Sequence, residues 1–172
     1  MRNEVLLIMG SKSDWPVVQK CAIVLKELGV PLMAGRPHVA SAHRNPKKVE
    51  ELSLAANDGN VGVIIAAAGM SAALPGVIKS HTVLPVVGLP IGSSTNPLDS
   101  QAALLSMTAM PAGIVVASVG INATENAALL AAEILAVNDP KLSAKLLERR
   151  KAQAAKVEEA DAEMELEVME WK

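Results

Sequence analysis

The sequence predicts an α/β fold, a parallel sheet with helices on both faces, on three observations. Strand-like apolar runs alternate with helical patterns five times along 172 residues, so the strands need crossover helices and run parallel. The run Val61 to Ala67 is apolar almost throughout, as a strand covered on both faces must be. The chain is 51% hydrophobic and long enough for one well-buried domain, yet short for two.

The elements follow in order. Glu4 to Met9, rich in Val, Leu and Ile, is the first strand. Gly10-Ser11-Lys12-Ser13-Asp14 is the loop after it, and apolar positions at Val17, Cys21, Val24, Leu25 and Leu28 mark the first helix. Ser13 or Asp14 can cap that helix, Pro16 suits its first turn, and Gly29 ends it. Pro31, Gly35 and Pro37 limit the second strand to a short piece around His38 to Ala40. Asn45-Pro46 starts a second helix with its stripe at Val49, Leu52 and Ala56.

Val61 to Ala67 then runs into a small-residue turn, Gly69 to Gly76, and Val83 to Leu89 is the fourth strand. A polar loop, Pro90 to Pro97, precedes a short helix at Leu98 to Met107, and Ile114 to Val119 is the fifth strand. Asn122-Ala-Thr-Glu125 reads as a capping box opening a helix with apolar positions from Ala127 to Val137. Asn138-Asp139-Pro140 stops it and starts the last helix, which turns acidic from Val157 onward. The expected division is a catalytic domain at 1–155 and an acidic helical tail at 156–172. Met164, Leu166, Val168, Met169 and Trp171 in so acidic a tail suggest docking on a neighbouring subunit.

Composition removes several function classes. Sixteen basic against eighteen acidic residues give a net charge of -2, and with no Phe or Tyr to stack on bases, nucleic-acid binding is not expected. Apolar stretches break well short of the roughly 18 residues a membrane span needs, and Met1 to Glu4 leads straight into a strand, so the chain reads as cytoplasmic and untargeted. Cys21 is the lone cysteine and suits a core position. His38 and His43 lack a nearby carboxylate or thiol, so no metal and no cofactor is expected.

Chemistry concentrates in Ser41-Ala42-His43-Arg44. An imidazole can give and take a proton near neutral pH, and a guanidinium can hold a phosphate by two parallel hydrogen bonds. Gly10 to Asp14 has two readings: a well-made helix start, or hydroxyls and amides at a positive helix end that receive a phosphate. Gly69 to Gly76 has two as well: tight helix-on-sheet packing, or a pocket wall for a small flat ligand. In open parallel sheets, ligands bind beyond the carboxyl ends of the strands where chain order reverses, which would bring these three loops together.

Gly10-Ser-Lys-Ser-Asp-Trp15, Ser41-Ala-His-Arg44, Ala68-Gly69 through Leu74-Pro75-Gly76, and Met110-Pro111-x-Gly113 resemble, in this order, the N5-carboxyaminoimidazole ribonucleotide mutase family, also called phosphoribosylaminoimidazole carboxylase catalytic subunit. The resemblance covers roughly the first 140 residues and implies a flavodoxin-like three-layer α/β/α fold with about five parallel strands and an extended C-terminal helix. It implies that Ser11, Ser13 and Arg44 hold the substrate phosphate, that Asp14 holds the ribose hydroxyls, and that His43 does the proton chemistry. Ser41, Ala42, Ala68, Gly69, Met70 and Ser71 complete the expected binding loops. It further implies a homo-octamer with sites between subunits and the last helix aiding assembly.

Two departures accompany this resemblance. Ala73 stands immediately before Leu74-Pro75-Gly76, where the mutase branch usually carries histidine, and Gly69-Met70-Ser71 stands where Gly-Gly-Ala is commoner. They leave open a slower mutase, substitution by His81, or another substrate. Arg44, where the branch that takes free carbon dioxide usually has lysine, favours the mutase branch. Carboxylation of aminoimidazole ribonucleotide with free carbon dioxide, carboxylation of another nucleotide by a paralogue and a noncatalytic nucleotide-binding module are the alternatives.

Overall fold

The computed structural model describes residues 2–169 and 171; Met1 and the tail residues Glu170 and Lys172, on which part of the sequence reading falls, lie outside it. Among the described residues, five strands, β1 (Glu4–Met9), β2 (His38–Val39), β3 (Val61–Ala68), β4 (Val86–Pro90) and β5 (Ala117–Ser118), form one parallel sheet in the order β2-β1-β3-β4-β5. The helices α1 (Trp15–Leu28), α2 (Pro46–Asp58), α3 (Leu74–Ser80), α4 (Pro97–Thr108), α5 (Thr124–Ala136) and α6 (Pro140–Met169) connect and flank it. The chain leaves β1 toward β2 on one side and returns to β3 on the other. Strand order therefore reverses between β1 and β3, which opens a crevice at their carboxyl ends.

Alternation along β1 divides the core into two layers. Val5, Leu7 and Met9 face α1, α5 and the start of α6, while Leu6 and Ile8 face α2, α3 and α4. Burying each such Leu or Ile contributes about 1.5–3 kcal/mol, and the all-apolar β3 contributes to both layers.

Several boundaries differ from the sequence expectation for identifiable reasons. The fourth strand starts at Val86, not Val83, because Thr82 Oγ1 accepts the Leu84 amide at 3.0 Å and turns the chain, leaving Val83 92% exposed. The fifth strand shrinks to two residues. It spans Ala117–Ser118, and the Ile114 amide, expected in the strand, instead closes a turn on the Pro111 carbonyl at 3.1 Å. Leu74 to Gly76, expected within a turn, instead opens α3 with Pro75 in its first turn. In α2 the fully buried position beside Val49 and Ala56 is Ser53, whose hydroxyl is satisfied by the Val49 carbonyl at 2.7 Å, while Leu52 is only partly buried. No helix among the described residues is long and apolar enough to cross a membrane.

Candidate active site at the carboxyl edge of the sheet

The loop after β1 is built by its own side chains. Ser11 caps a single 3-10 turn, Lys12–Asp14, accepting from the Ser13 amide at 3.2 Å and the Ser13 hydroxyl at 2.7 Å, while the Asp14 carboxylate accepts the Ser11 amide at 3.1 Å. Asp14 then leads into α1 without a side-chain cap of its own, so the capping expected at Ser13 or Asp14 has moved to Ser11. Burial pushes the Asp14 carboxyl above its ordinary pKa, against the lowering effect of the Ser11 amide, the Ser13 hydroxyl and the Arg44 charge.

The loop after β2 is a compact turn closed by the Asn45 amide on the Ser41 carbonyl at 2.8 Å. The Ser41 hydroxyl accepts from both the Arg44 amide (3.3 Å) and Arg44 Nε (3.4 Å), which aims the guanidinium across the crevice so that Nη2 reaches the Gly10 carbonyl at 3.4 Å. Ala42 packs against the core layer beneath, while His43 and Arg44 are exposed on top.

In the loop after β3, Gly10 donates to the Ala67 carbonyl at 3.0 Å, and a Cβ at Gly10 would lie 3.9 Å from the Cβ of Ala68, so the first and third loops touch. Gly69 passes so close to β4 that a Cβ there would lie 3.2 Å from the Ile91 carbonyl oxygen. Met70 follows at φ 55°, a left-handed conformation that glycine adopts freely and a long side chain does not. Its side chain stands 70% exposed at the rim beside Ser71, whose carbonyl accepts the Ala73 amide at 2.7 Å.

The structure thus gathers Ser11, Ser13, Asp14, Ser41, Ala42, His43, Arg44, Ala68, Gly69, Met70 and Ser71 along one sheet edge. It does not bring His81 there. His81 caps the far end of α3, about 12 Å along the helix from Ala73, with its carbonyl held by Asn57 Nδ2 at 2.9 Å. His38 is buried in β2 with Nε2 3.4 Å from the Met33 carbonyl oxygen, and burial holds its pKa below the ordinary value. No group of three or more His, Cys, Asp or Glu among the described residues is placed to hold a metal ion.

Two further features bear on the site. The site loops lie open in the single chain, whereas a groove of about 640 Å³ runs along α1 from Trp15 to Gly29 and contains none of them. Asn122, expected as the N-cap of the fifth helix, leaves that position to Ala123. It adopts φ 56° and accepts the Gly92 amide on Oδ1 at 2.9 Å instead. Its preference for left-handed backbone is a usable sequence signal, but the residue it binds lies 30 positions away.

Comparison with known proteins follows the same geometry. A family model described as AIR carboxylase matches residues 4–156. The chain is 46% identical over 166 residues to the N5-carboxyaminoimidazole ribonucleotide mutase of Pyrococcus horikoshii, covering 96% of this chain and 89% of that protein. It is 45% identical over 157 residues to the mutase of the same name from Methanocaldococcus jannaschii, covering 91% and 94%. Among solved structures, Treponema denticola PurE superposes with a TM-score of 0.81 at 28% identity, covering 92% of this chain and 96% of that one.

Proposed function

The chain belongs to the AIR carboxylase family, and from that premise we propose that its three converging loops carry out the N5-carboxyaminoimidazole ribonucleotide mutase reaction of purine biosynthesis, with His43 moving the proton. The enzyme is an isomerase: the carboxylate leaves an exocyclic nitrogen and ends on a ring carbon of the same nucleotide.

The carbamate nitrogen–carbon bond breaks, releasing carbon dioxide, and the nitrogen takes a proton. The enamine-like ring carbon then attacks the carbon dioxide, and its own proton leaves as the ring recovers aromaticity. One imidazole that gives the first proton and accepts the second ends in the state in which it began. His43, exposed at the tip of the Ser41 turn, is the imidazole these loops carry, the kind of side chain that both gives and takes a proton in catalysis.

Arg44, Ser11 and Ser13 hold the phosphate at the positive end of α1, and Asp14 accepts from the ribose hydroxyls. Anchoring at a distance from the reacting atoms fixes the ring against His43. Ala42, Ser41, Ala68, Gly69, Met70 and Ser71 line the ring side, where small residues let backbone amides approach. The observation that carries this reading is the Arg44 contact to Gly10, which puts the neighbour of His43 on the phosphate loop.

Trapping carbon dioxide requires more walls than a single chain supplies, since Ser13, His43, Arg44, Met70 and Ser71 are all exposed. Neighbouring copies supply them in a homo-oligomer, an octamer by the family resemblance. Residues 1–155 then form the catalytic domain and 156–172, which includes the end of α6, the segment that docks on a neighbour, as its exposed Val157, Met164 and Val168 suggest. The substrate is a charged phosphorylated nucleotide that does not pass a membrane unaided, which fits a cytoplasmic enzyme. A panel of nucleotides tests the reading: turnover confined to carboxyaminoimidazole ribonucleotides supports it, and preference for a different ring assigns the chain to another substrate.

A further inference from the structure

The polar loop after β4 has no part in the site described so far, yet it is the most deliberately built loop at that edge. Ile91 donates to the Ala68 carbonyl at 2.9 Å, which lays the loop directly beside Gly69 and Met70. Ser93 Oγ accepts the amides of Thr95 (3.2 Å) and Asn96 (3.0 Å), the Ser93 amide is held by Ser100 Oγ at 2.9 Å, and Asn96 Oδ1 caps α4 through the Leu98 amide at 3.1 Å. One contact from outside fixes this unit to the sheet. Asn122 donates its amide to the Pro90 carbonyl (2.9 Å) and accepts the Gly92 amide on its side chain (2.9 Å), gripping the loop on both sides of Ile91.

The grip is geometrically exclusive. A Cβ at Gly92 would lie 2.8 Å from Asn122 Nδ2 and 2.9 Å from Ile121 Cγ2, so the loop approaches Asn122 as closely as its backbone allows. Asn122 reaches it only from φ 56°, a conformation asparagine tolerates because its short amide makes local hydrogen bonds.

We infer that Asn122 is a positioning residue for the mutase reaction, holding loop Gly92–Asn96 as the wall of the substrate crevice on the side away from His43. The inference rests on the mutase reading: a nucleotide anchored by its phosphate at Arg44, Ser11 and Ser13 has its ring between His43 and the β3 loop, and the β4 loop lies beyond that ring along the sheet edge. A wall there keeps carbon dioxide beside the ring carbon. Releasing the wall lets the gas escape without touching the phosphate anchor.

The test uses the full-length chain and its Asn122→Gly and Asn122→Asp variants. Glycine keeps the backbone conformation and loses the acceptor, whereas aspartate keeps both. Aminoimidazole ribonucleotide is the probe, and amide hydrogen exchange is the first readout. Binding is expected to slow exchange at residues 92–96 together with residues 10–14 and 41–44. In Asn122→Gly the slowing at 92–96 is lost while that at the other two loops remains. In turnover of the carbamate substrate, Asn122→Gly is expected to lose about three- to ten-fold in kcat with KM nearly unchanged, and to release a larger share of free amine, with Asn122→Asp restoring both. Slowing at 10–14 and 41–44 without any at 92–96 overturns this inference alone. No slowing at any of the three loops overturns the mutase reading itself. Wild-type kcat and product share in Asn122→Gly also overturn the inference.

Discussion

Arg44 Nη2 lies 3.4 Å from the carbonyl oxygen of Gly10, so residues 34 positions apart meet where the chain order of the sheet reverses. The same guanidinium is steadied by Ser41 through Nε and offsets part of the burial that raises the Asp14 pKa, which places a positive charge between the two loops proposed to hold a phosphorylated ribose.

Replacing Arg44 with alanine is therefore expected to weaken binding of the phosphorylated nucleotide by about 1.5–3 kcal/mol, roughly ten- to a hundred-fold, as for a lost charge-assisted contact. Calorimetric titration with the nucleotide and its dephosphorylated nucleoside checks this. The nucleoside should bind wild type and variant alike, and an equal loss for both ligands would remove Arg44 from the phosphate.

Asp14 carries a stability cost in exchange for its position. Its folded pKa is raised above the ordinary 3.8 by burial, so the folded chain holds this proton more tightly than the unfolded chain. The ionised group then costs stability above its folded pKa, and the cost vanishes as pH falls below 3.8. Asp14→Asn is expected to raise Tm at pH 7, with the gap closing below pH 3.8, while KM rises about ten-fold through the lost ribose contact. Thermal scans across pH and steady-state kinetics give both readouts.

His81 sits at the opposite end of α3 from Ala73 and cannot replace an imidazole there. His81→Ala should leave kcat unchanged. Ala73→His places an imidazole at the start of α3 beside the Gly69 loop and should raise kcat/KM by about ten-fold, the scale of one added charge-assisted hydrogen bond. A fall in kcat for His81→Ala would show that His81 reaches the site in the assembled enzyme.

The order of strands and helices was legible because β3 is apolar on both faces and because Gly29, Asn45-Pro46 and Pro140 punctuate the chain with ordinary capping chemistry. The convergence of Ser11, His43 and Gly69 was legible too, since it follows from the topology of a parallel sheet. Other features were hidden because they depend on partners remote in sequence. Val83 reads as strand until Thr82 turns the chain, and Asn122 reads as a cap until Gly92 claims its side chain.

Beyond Arg149, α6 is exposed up to Met169, and Met164, Leu166, Val168 and Met169 stay exposed among acidic residues. Removing residues 156–172 is expected to reduce the proposed octamer of 17.9 kDa chains to smaller species and to lower kcat as the proposed site walls are lost. Light scattering coupled to size-exclusion chromatography reads the mass. An unchanged mass would assign assembly to other surfaces.

The central claim, that His43 relays one proton while the carboxylate moves between two atoms of a phosphate-anchored nucleotide, is tested most directly by comparing wild type and His43→Asn on two substrates without ATP: the carbamate nucleotide, and the free amine with bicarbonate. Wild type is expected to convert the carbamate rapidly and the amine poorly, and His43→Asn to lose turnover by at least about a hundred-fold while binding the nucleotide nearly as well. Undiminished turnover in His43→Asn, or wild-type preference for the amine with bicarbonate, would contradict the account.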